Sequence, residues 1–361
     1  PITATAILHL VQEDKIALDT QLESFYPESN IRSITVLELL NHTSGLPQDL
    51  DTLESYDHMS FSHKEVLKLI CEVDNQEDVR GKFQYSNIGY FLLGDIIQKV
   101  SGLAYDEYLR KNVLNPSGMT GTYVDDPKAV IQKRAMGYDD GEGESGYAEE
   151  VVADYINPLI DLGNGSLLST TNDLFSFYKA LSGGEVLSND ILDKAWKNYG
   201  NNYGLGWWVY QGDNKMIMHS GNISGFTSCL IFYPELDFCI VMLANTSNVN
   251  GQSIGLSIRN IYFGRDYYQP KIRESINSFE FSEKLNGSKF KNPYFTLSLK
   301  IEEGRLFVQT PGDPWEELFA ETPLYYFSKL HDFRLTFEDE DFKNGKLFFG
   351  DLEVDIERVT Q

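Results

Sequence analysis

A chain of 361 residues, 42% hydrophobic and 23% charged, is long enough for two domains and lies in the ordinary globular range, so it is expected to fold as a soluble protein. Its formal net charge of -24 argues against nucleic acid as a partner, because a phosphate backbone needs clustered Lys and Arg to displace its counterions, and an anionic membrane surface is disfavoured likewise. Cys71, Cys229 and Cys239 form neither a regular framework nor a Cys-x-x-Cys pair, so no disulfide scaffold or zinc ribbon is expected.

No apolar run reaches the length of a membrane span, and the first residues lack the basic start, apolar stretch and cleavage site of a signal peptide. A removed signal or lipid anchor upstream of Pro1 would leave the same sequence, so the residues do not set the compartment. Ile2, Ala6, Ile7, Leu10 and Val11 recur at helical spacing and predict an opening helix, with Pro1 compatible with its start. Further helical patterns cover residues 34–41, 62–72, 88–100 and 171–181, with Gly102 as a stop signal beyond the third. Residues 139–150 collect Gly and acidic side chains and read as a solvated loop.

From Gly204 the pattern changes to short aromatic and β-branched runs at 205–210, 215–219, 227–233 and 238–244, which predict successive antiparallel strands, followed by a helix at 254–263. Helices with one antiparallel sheet make an α/β (α+β) domain over residues 1–272. Beyond it, alternating apolar residues at 295–301, 306–309, 333–337, 347–349 and 352–359 predict an all-β domain over 273–361. Turn signals at Glu303-Gly304, Pro311-Gly312-Asp313-Pro314 and Asn344-Gly345 favour a meander curled into a small barrel.

Two segments carry candidate chemistry. Residues 83–94 place Tyr85 and Asn87 directly before an apolar helix, a spacing that by itself usually marks a turn and a cap. Residues 218–222 end a strand in His219-Ser220-Gly221-Asn222. Here Gly221 would let a substrate approach the strand edge, the Asn222 N–H would donate to an oxyanion, and His219 and Ser220 would bind an anionic group. A structural histidine fits the same spacing, and spacing alone leaves both readings open.

Together the two segments resemble, in order and context, the serine β-lactamase and penicillin-binding-protein superfamily over roughly residues 1–265. The likeness is strongest to the branch of class C β-lactamases, D-alanyl-D-alanine carboxypeptidases, D-aminopeptidases and esterases. Leu39-Leu40-Asn41-His42-Thr43-Ser44-Gly45-Leu46-Pro47 is similar to the family's signature loop. Gly163-Asn164-Gly165-Ser166-Leu167 with residues 169–174 resembles its later Gly-rich turn and helix, and Tyr203-Gly204-Leu205-Gly206-Trp207 the entry to its sheet. The family's Tyr-x-Asn motif falls on Tyr85 and Asn87, and its Lys-Thr-Gly motif on His219, Ser220 and Gly221, with His in place of Lys as in peptidase and esterase members.

The resemblance implies a serine hydrolase that acts on an amide or ester through an acyl-enzyme, with Tyr85, Asn87 and His219 in the catalytic set. Ser220, Gly221 and Asn222 would line the oxyanion and substrate side. It also implies a small-molecule or peptide substrate, an extracytoplasmic location and a lipocalin-like C-terminal barrel. In relatives a Ser-x-x-Lys lies on the same helix immediately before the residues matching Pro1-Ile2-Thr3-Ala4. A truncated chain, an incorrectly chosen start and a natural chain that has lost the reaction all fit. Truncation is the favoured reading, with Ser-x-x-Lys expected in the intact gene product.

Two alternatives are weighed against the hydrolase. One is a peptidoglycan- or peptide-binding module in which the same groove is never acylated; the other is a small-ligand carrier built on the barrel. A Gly-x-Ser-x-Gly match at 251–255, with Ser253 as nucleophile and His331 as partner, lacks the strand that must feed its first Gly and reads as a helix entry. His9, His58 and His63 have no partners at metal-ligand spacing and no phosphate-cradling loop occurs, so neither metal nor cofactor is expected.

Overall fold

A computed structural model describes residues 1–50, 62–73, 78–126, 129–141, 149–153, 162–267, 275–276, 281–292, 295–310, 315–328, 333–349 and 352–359. The chain divides into two compact units, Pro1–Ala135 with Asp154–Leu243, and Met136–Ala153 with Ala244–Gln361.

The first unit is built around two buried helices. α1 (Ile2–Gln12) buries Ile2, Thr3, Ala4, Thr5, Ala6, Ile7, Leu8 and Leu10, which cover its whole circumference, as expected of a core helix rather than a surface one. α2 (Val36–Leu40) starts from a capping box in which Thr35 accepts from the Glu38 N–H and Glu38 reaches back to Thr35. α3 (His63–Glu72) opens with the same device between Ser62 and Glu65. α4 (Asn87–Ser101) buries every residue from Ile88 to Ile97 and stops at Gly102, the expected stop signal, which takes the left-handed conformation. α1 packs against α4, and Asp95 of α4 accepts from the Tyr26 hydroxyl at 2.6 Å and lies 2.9 Å from His63 Nε2, tying α3 down.

α5 (Tyr105–Leu109) runs on into a π-helical turn, Arg110–Leu114, which the sequence pattern does not announce. β1 (Tyr123–Val124) comes next, then β2 (Tyr138–Gly141) and β3 (Glu149–Val152), which pair antiparallel and correct the expectation of a loop throughout 139–150. The acidic residues tolerate a strand here because cross-strand backbone pairing does not require an apolar face. β4 (Leu167–Leu168) pairs with β1, and α6 (Thr171–Gly183) and α7 (Asn189–Ala195) follow.

β5 (Trp208–Tyr210), β6 (Met216–Ile223), β7 (Phe226–Tyr233) and β8 (Phe238–Ala244) form one sheet in chain order. Later in the chain comes α8 (Gly251–Tyr262), capped by Asn250, whose side chain accepts from the Ser253 N–H at 2.9 Å. Ser253 is thus in a helix entry with no strand leading into Gly251, and His331 lies outside the described residues.

The barrel consists of β9 (Lys289–Lys291), β10 (Thr296–Glu302), β11 (Arg305–Gln309), β12 (Glu316–Thr322), β13 (Tyr325–Phe327), β14 (Phe333–Phe337), β15 (Asn344–Phe349) and β16 (Leu352–Arg358). It is the expected antiparallel meander, closed by pairing of β16 with β9. Leu297, Leu299, Leu306, Val308, Leu318, Leu335 and Leu347 alternate into an interior filled by Phe290, Tyr326 and Phe337. Glu303-Gly304 makes the predicted two-residue turn, with φ of +52° and +75°. Asn344-Gly345, by contrast, starts β15 instead of turning, and a Cβ at 345 would stand 2.1 Å from the Thr336 carbonyl oxygen. There the glycine serves strand approach, not φ. Among the described residues no helix is long and apolar enough to cross a membrane.

Candidate active site

Where α2 ends, His42 adopts φ +57° and turns its ring into the protein, leaving it 1% exposed. Its Nδ1 accepts the backbone N–H of Ser86 at 3.0 Å. Ser86 is also the N-cap of α4: its hydroxyl accepts from the Gly89 N–H and donates to the Pro47 carbonyl at 2.7 Å. The signature loop, the Tyr85 segment and the start of α4 are thus fastened at one point. Tyr85 stacks on the imidazole with ring centroids 4.2 Å apart, and the Tyr90 ring lies 5.0 Å from it.

β6 brings the second motif. β5 pairs with it only from Met216 to Met218, so His219, Ser220, Gly221, Asn222 and Ile223 are paired on the β7 side alone among the described residues. His219 lies 6.3 Å from Tyr85 by ring centroid. Its Nδ1 donates to the Ser220 carbonyl at 2.6 Å, and its Nε2 lies 3.3 Å from the Tyr203 hydroxyl, which is itself 3.2 Å from His42 Nε2.

Two of the sequence-predicted residues, Tyr85 and His219, therefore come together, and Ser220, Gly221 and Asn222 follow along the strand, the last two exposed. Asn87 sits beside Tyr85 at the first position of α4, and its amide donates to Asp49 at 2.9 Å. The Tyr85 hydroxyl has no hydrogen-bond partner among the described residues. Burial, reinforced by the Asp49 charge, raises its pKa, so at rest it is a phenol. Burial pulls both histidines down to about 3, so both imidazoles are neutral at neutral pH.

Tyr203 and His42 are residues of the candidate site that motif reading passed over. Both stand in segments that resemble the family's, yet only the fold joins them to His219. The available signal was a histidine two residues beyond the buried pair Leu39-Leu40.

The first turn of α1 reaches the same place. A Cβ at Gly206 would stand 2.4 Å from Ala4 Cβ, 2.9 Å from the Tyr90 hydroxyl and 3.8 Å from Pro1 Cα. Three histidine, cysteine or acidic side chains placed to hold a metal ion do not occur among the described residues.

With Tyr-x-Asn before a buried helix and His-Ser-Gly on a strand edge, residues 1–260 match the family described as Beta-lactamase. The chain belongs to that family, within the serine β-lactamase and penicillin-binding-protein superfamily, whose members are serine hydrolases.

It is similar to penicillin-binding protein 4* of Bacillus subtilis (strain 168), 27% identical over 357 residues that cover 91% of this chain and 78% of that protein. Protein flp of Staphylococcus aureus (strain MRSA252) is 27% identical over 260 residues, 68% of this chain, and the chain spans about half of it, 51%. Among solved structures, the octameric penicillin-binding protein homologue from Pyrococcus abyssi superposes with a TM-score of 0.65 at 22% identity, covering 98% of this chain and 86% of that one. D-amino acid amidase from Ochrobactrum anthropi SV3, complexed with L-phenylalanine, gives a TM-score of 0.57 at 25% identity, covering 68% and 73%.

Proposed function

We propose that this protein is a serine hydrolase that cleaves an amide or ester through an acyl-enzyme. The observation that carries the reading is the Tyr85 hydroxyl, without a hydrogen-bond partner among the described residues, on a ring 6.3 Å from that of His219 in the one-sided stretch of β6. A serine placed one turn earlier on α1, within a Ser-x-x-Lys, would enter this cluster.

Its Oγ would attack the carbonyl carbon while its proton passes to the Lys–Tyr85 pair. The negative charge developing on the carbonyl oxygen would be met by the Asn222 N–H and the serine's own N–H. Collapse would expel the amine or alcohol with the proton returned through Tyr85, and water would then cleave the acyl-serine by the same path. Asn87, released from Asp49, would orient the lysine and the substrate amide. Gly221 gives clearance at the strand edge, and Ser220 faces the bound substrate.

The test is intact mass after treating a protein extended upstream to include Ser-x-x-Lys with a fluorescent penicillin or an acyl fluorophosphonate. A single covalent adduct is expected, and its absence with both probes would overturn the proposal. In the same protein Tyr85→Phe should lower kcat by about 100-fold or more, the usual scale of positioned proton transfer, with little change in Tm. Unchanged turnover would remove Tyr85 from the mechanism.

A further inference from the structure

The hydrogen bonds joining the two histidines fix where the ring protons lie. A carbonyl oxygen can only accept, so the 2.6 Å contact to Ser220 places a proton on His219 Nδ1. A backbone N–H can only donate, so the contact from Ser86 leaves His42 Nδ1 bare and puts that ring's proton on Nε2, directed at Tyr203. The Tyr203 oxygen receives that proton's hydrogen bond, and its own single proton has His219 Nε2, 3.3 Å away, as its nitrogen acceptor, beside the Tyr90 hydroxyl, which also interacts with Tyr203 and donates its own proton to the Leu40 carbonyl. The chain then runs Ser86, His42, Tyr203, His219, Ser220, each group donating to the next.

From this geometry we infer that Tyr203 and His42 are positioning residues that hold His219 as a neutral Nδ1–H imidazole, so that the substrate portion lying against it is uncharged, as in a neutral ester or amide. The substrate preference rests on the serine-hydrolase reading above; the state of His219 does not.

Charging His219 would put a second N–H on the Tyr203 oxygen, opposite the one from His42, and would displace the Tyr203 proton from its acceptor. The groups that face the ring are Tyr203, the Tyr85 phenol from the segment before α4, and behind Tyr203 His42 and the Tyr90 phenol of α4, together with the Pro1 end of α1. None of them is an anion at neutral pH, so nothing there favours an imidazolium. With both ring nitrogens engaged inside the protein, His219 has no N–H to offer a carboxylate, whereas a lysine at this position would present a full positive charge. A carboxylate placed there would lose hydration without a compensating partner.

The decisive measurement is the nitrogen chemical shifts of His219 in the ¹⁵N-histidine-labelled chain from pH 5 to 8, assigned by loss of its signals in His219→Asn. The expected result is an Nδ1–H neutral ring throughout. In Tyr203→Phe, which keeps the ring packing, Nε2 loses its donor and the histidine should begin to titrate, its pKa rising by about one unit or more. Titration of wild-type His219 near 6.5, an Nε2–H tautomer, or a Tyr203→Phe protein indistinguishable from wild type would each overturn the inference.

The substrate arm compares phenyl acetate with 3-carboxyphenyl acetate in the upstream-extended protein. A kcat/KM favouring the uncharged leaving group by about tenfold or more is expected, the difference lying in KM. Equal or reversed preference would overturn the substrate claim. Turnover of neither ester would count against the serine-hydrolase reading, and the nitrogen shifts would still decide the state of His219.

Discussion

Replacing Gly206 with alanine strikes the contact on which the site is assembled. Gly206 adopts φ +83°, its N–H donates to the Leu40 carbonyl at 3.1 Å, and the same carbonyl accepts the Tyr90 hydroxyl at 3.0 Å. The new methyl would begin 2.4 Å from Ala4 Cβ and 2.9 Å from the Tyr90 hydroxyl. Carbon atoms pack best at about 3.5–4.0 Å, so α1 and the 203–207 segment would have to part by roughly 1 Å. The left-handed backbone costs about 1–2 kcal/mol for a residue with a Cβ, and overpacking of this kind adds about 1–3 kcal/mol. The sum, about 2–5 kcal/mol, corresponds to a fall in Tm of roughly 5–15 °C.

Gly102→Ala supplies the control: φ there is +72° with nothing within 4 Å, so only the backbone cost applies. Thermal and urea unfolding of both variants, followed by circular dichroism, separates the two contributions. Destabilisation of Gly206→Ala no greater than that of Gly102→Ala would refute the close-approach argument.

Acid should destabilise the fold through His42. Its folded pKa of about 3 lies below the ordinary 6.5, so the unfolded chain takes a proton that the folded one refuses. This stability is complete above pH 6.5 and is lost as pH falls toward 3, by about 1.4 kcal/mol per unit, or about 2 kcal/mol at pH 5. His219, depressed to the same extent, adds an equal share, so urea midpoints at pH 7 and pH 5 should show both losses and His42→Gln should reduce the slope by about half; an unaltered pH slope in that variant would be evidence against the assignment. Asp95→Ala should cost about 3–5 kcal/mol, because Tyr26 and His63 lose a buried acceptor and Lys99, 3.7 Å away, loses its counter-charge. Faster amide exchange in α3 should accompany it, and full protection there would show that Asp95 does not hold that helix.

Local elements were legible wherever their signals lie close in sequence. Thr35 with Glu38 and Ser62 with Glu65 start α2 and α3 through contacts three residues apart, and Gly102 ends α4 by its own conformational freedom. The apolar alternation of 295–301 and 333–337 likewise gave β10 and β14, while the short β9 and β13, of three residues each, carry too few positions for a period to show. Tyr85, Asn87 and His219 through Asn222 were reached by their resemblance to a family and not by spacing, since a cap and a strand end account for the same letters.

The sequence by itself determined the class of elements, the family and the two motifs, because each is written in residues a few positions apart. Only the tertiary structure decided that His42 and His219 share one tyrosine, a link between residues 161 positions apart in one case and 16 in the other. It also decided that β16 closes on β9 and that Gly206 must lack a side chain. Hydrogen-bond direction and close packing depend on which distant groups meet, and that is settled by how buried helices and sheet come together rather than by any local pattern.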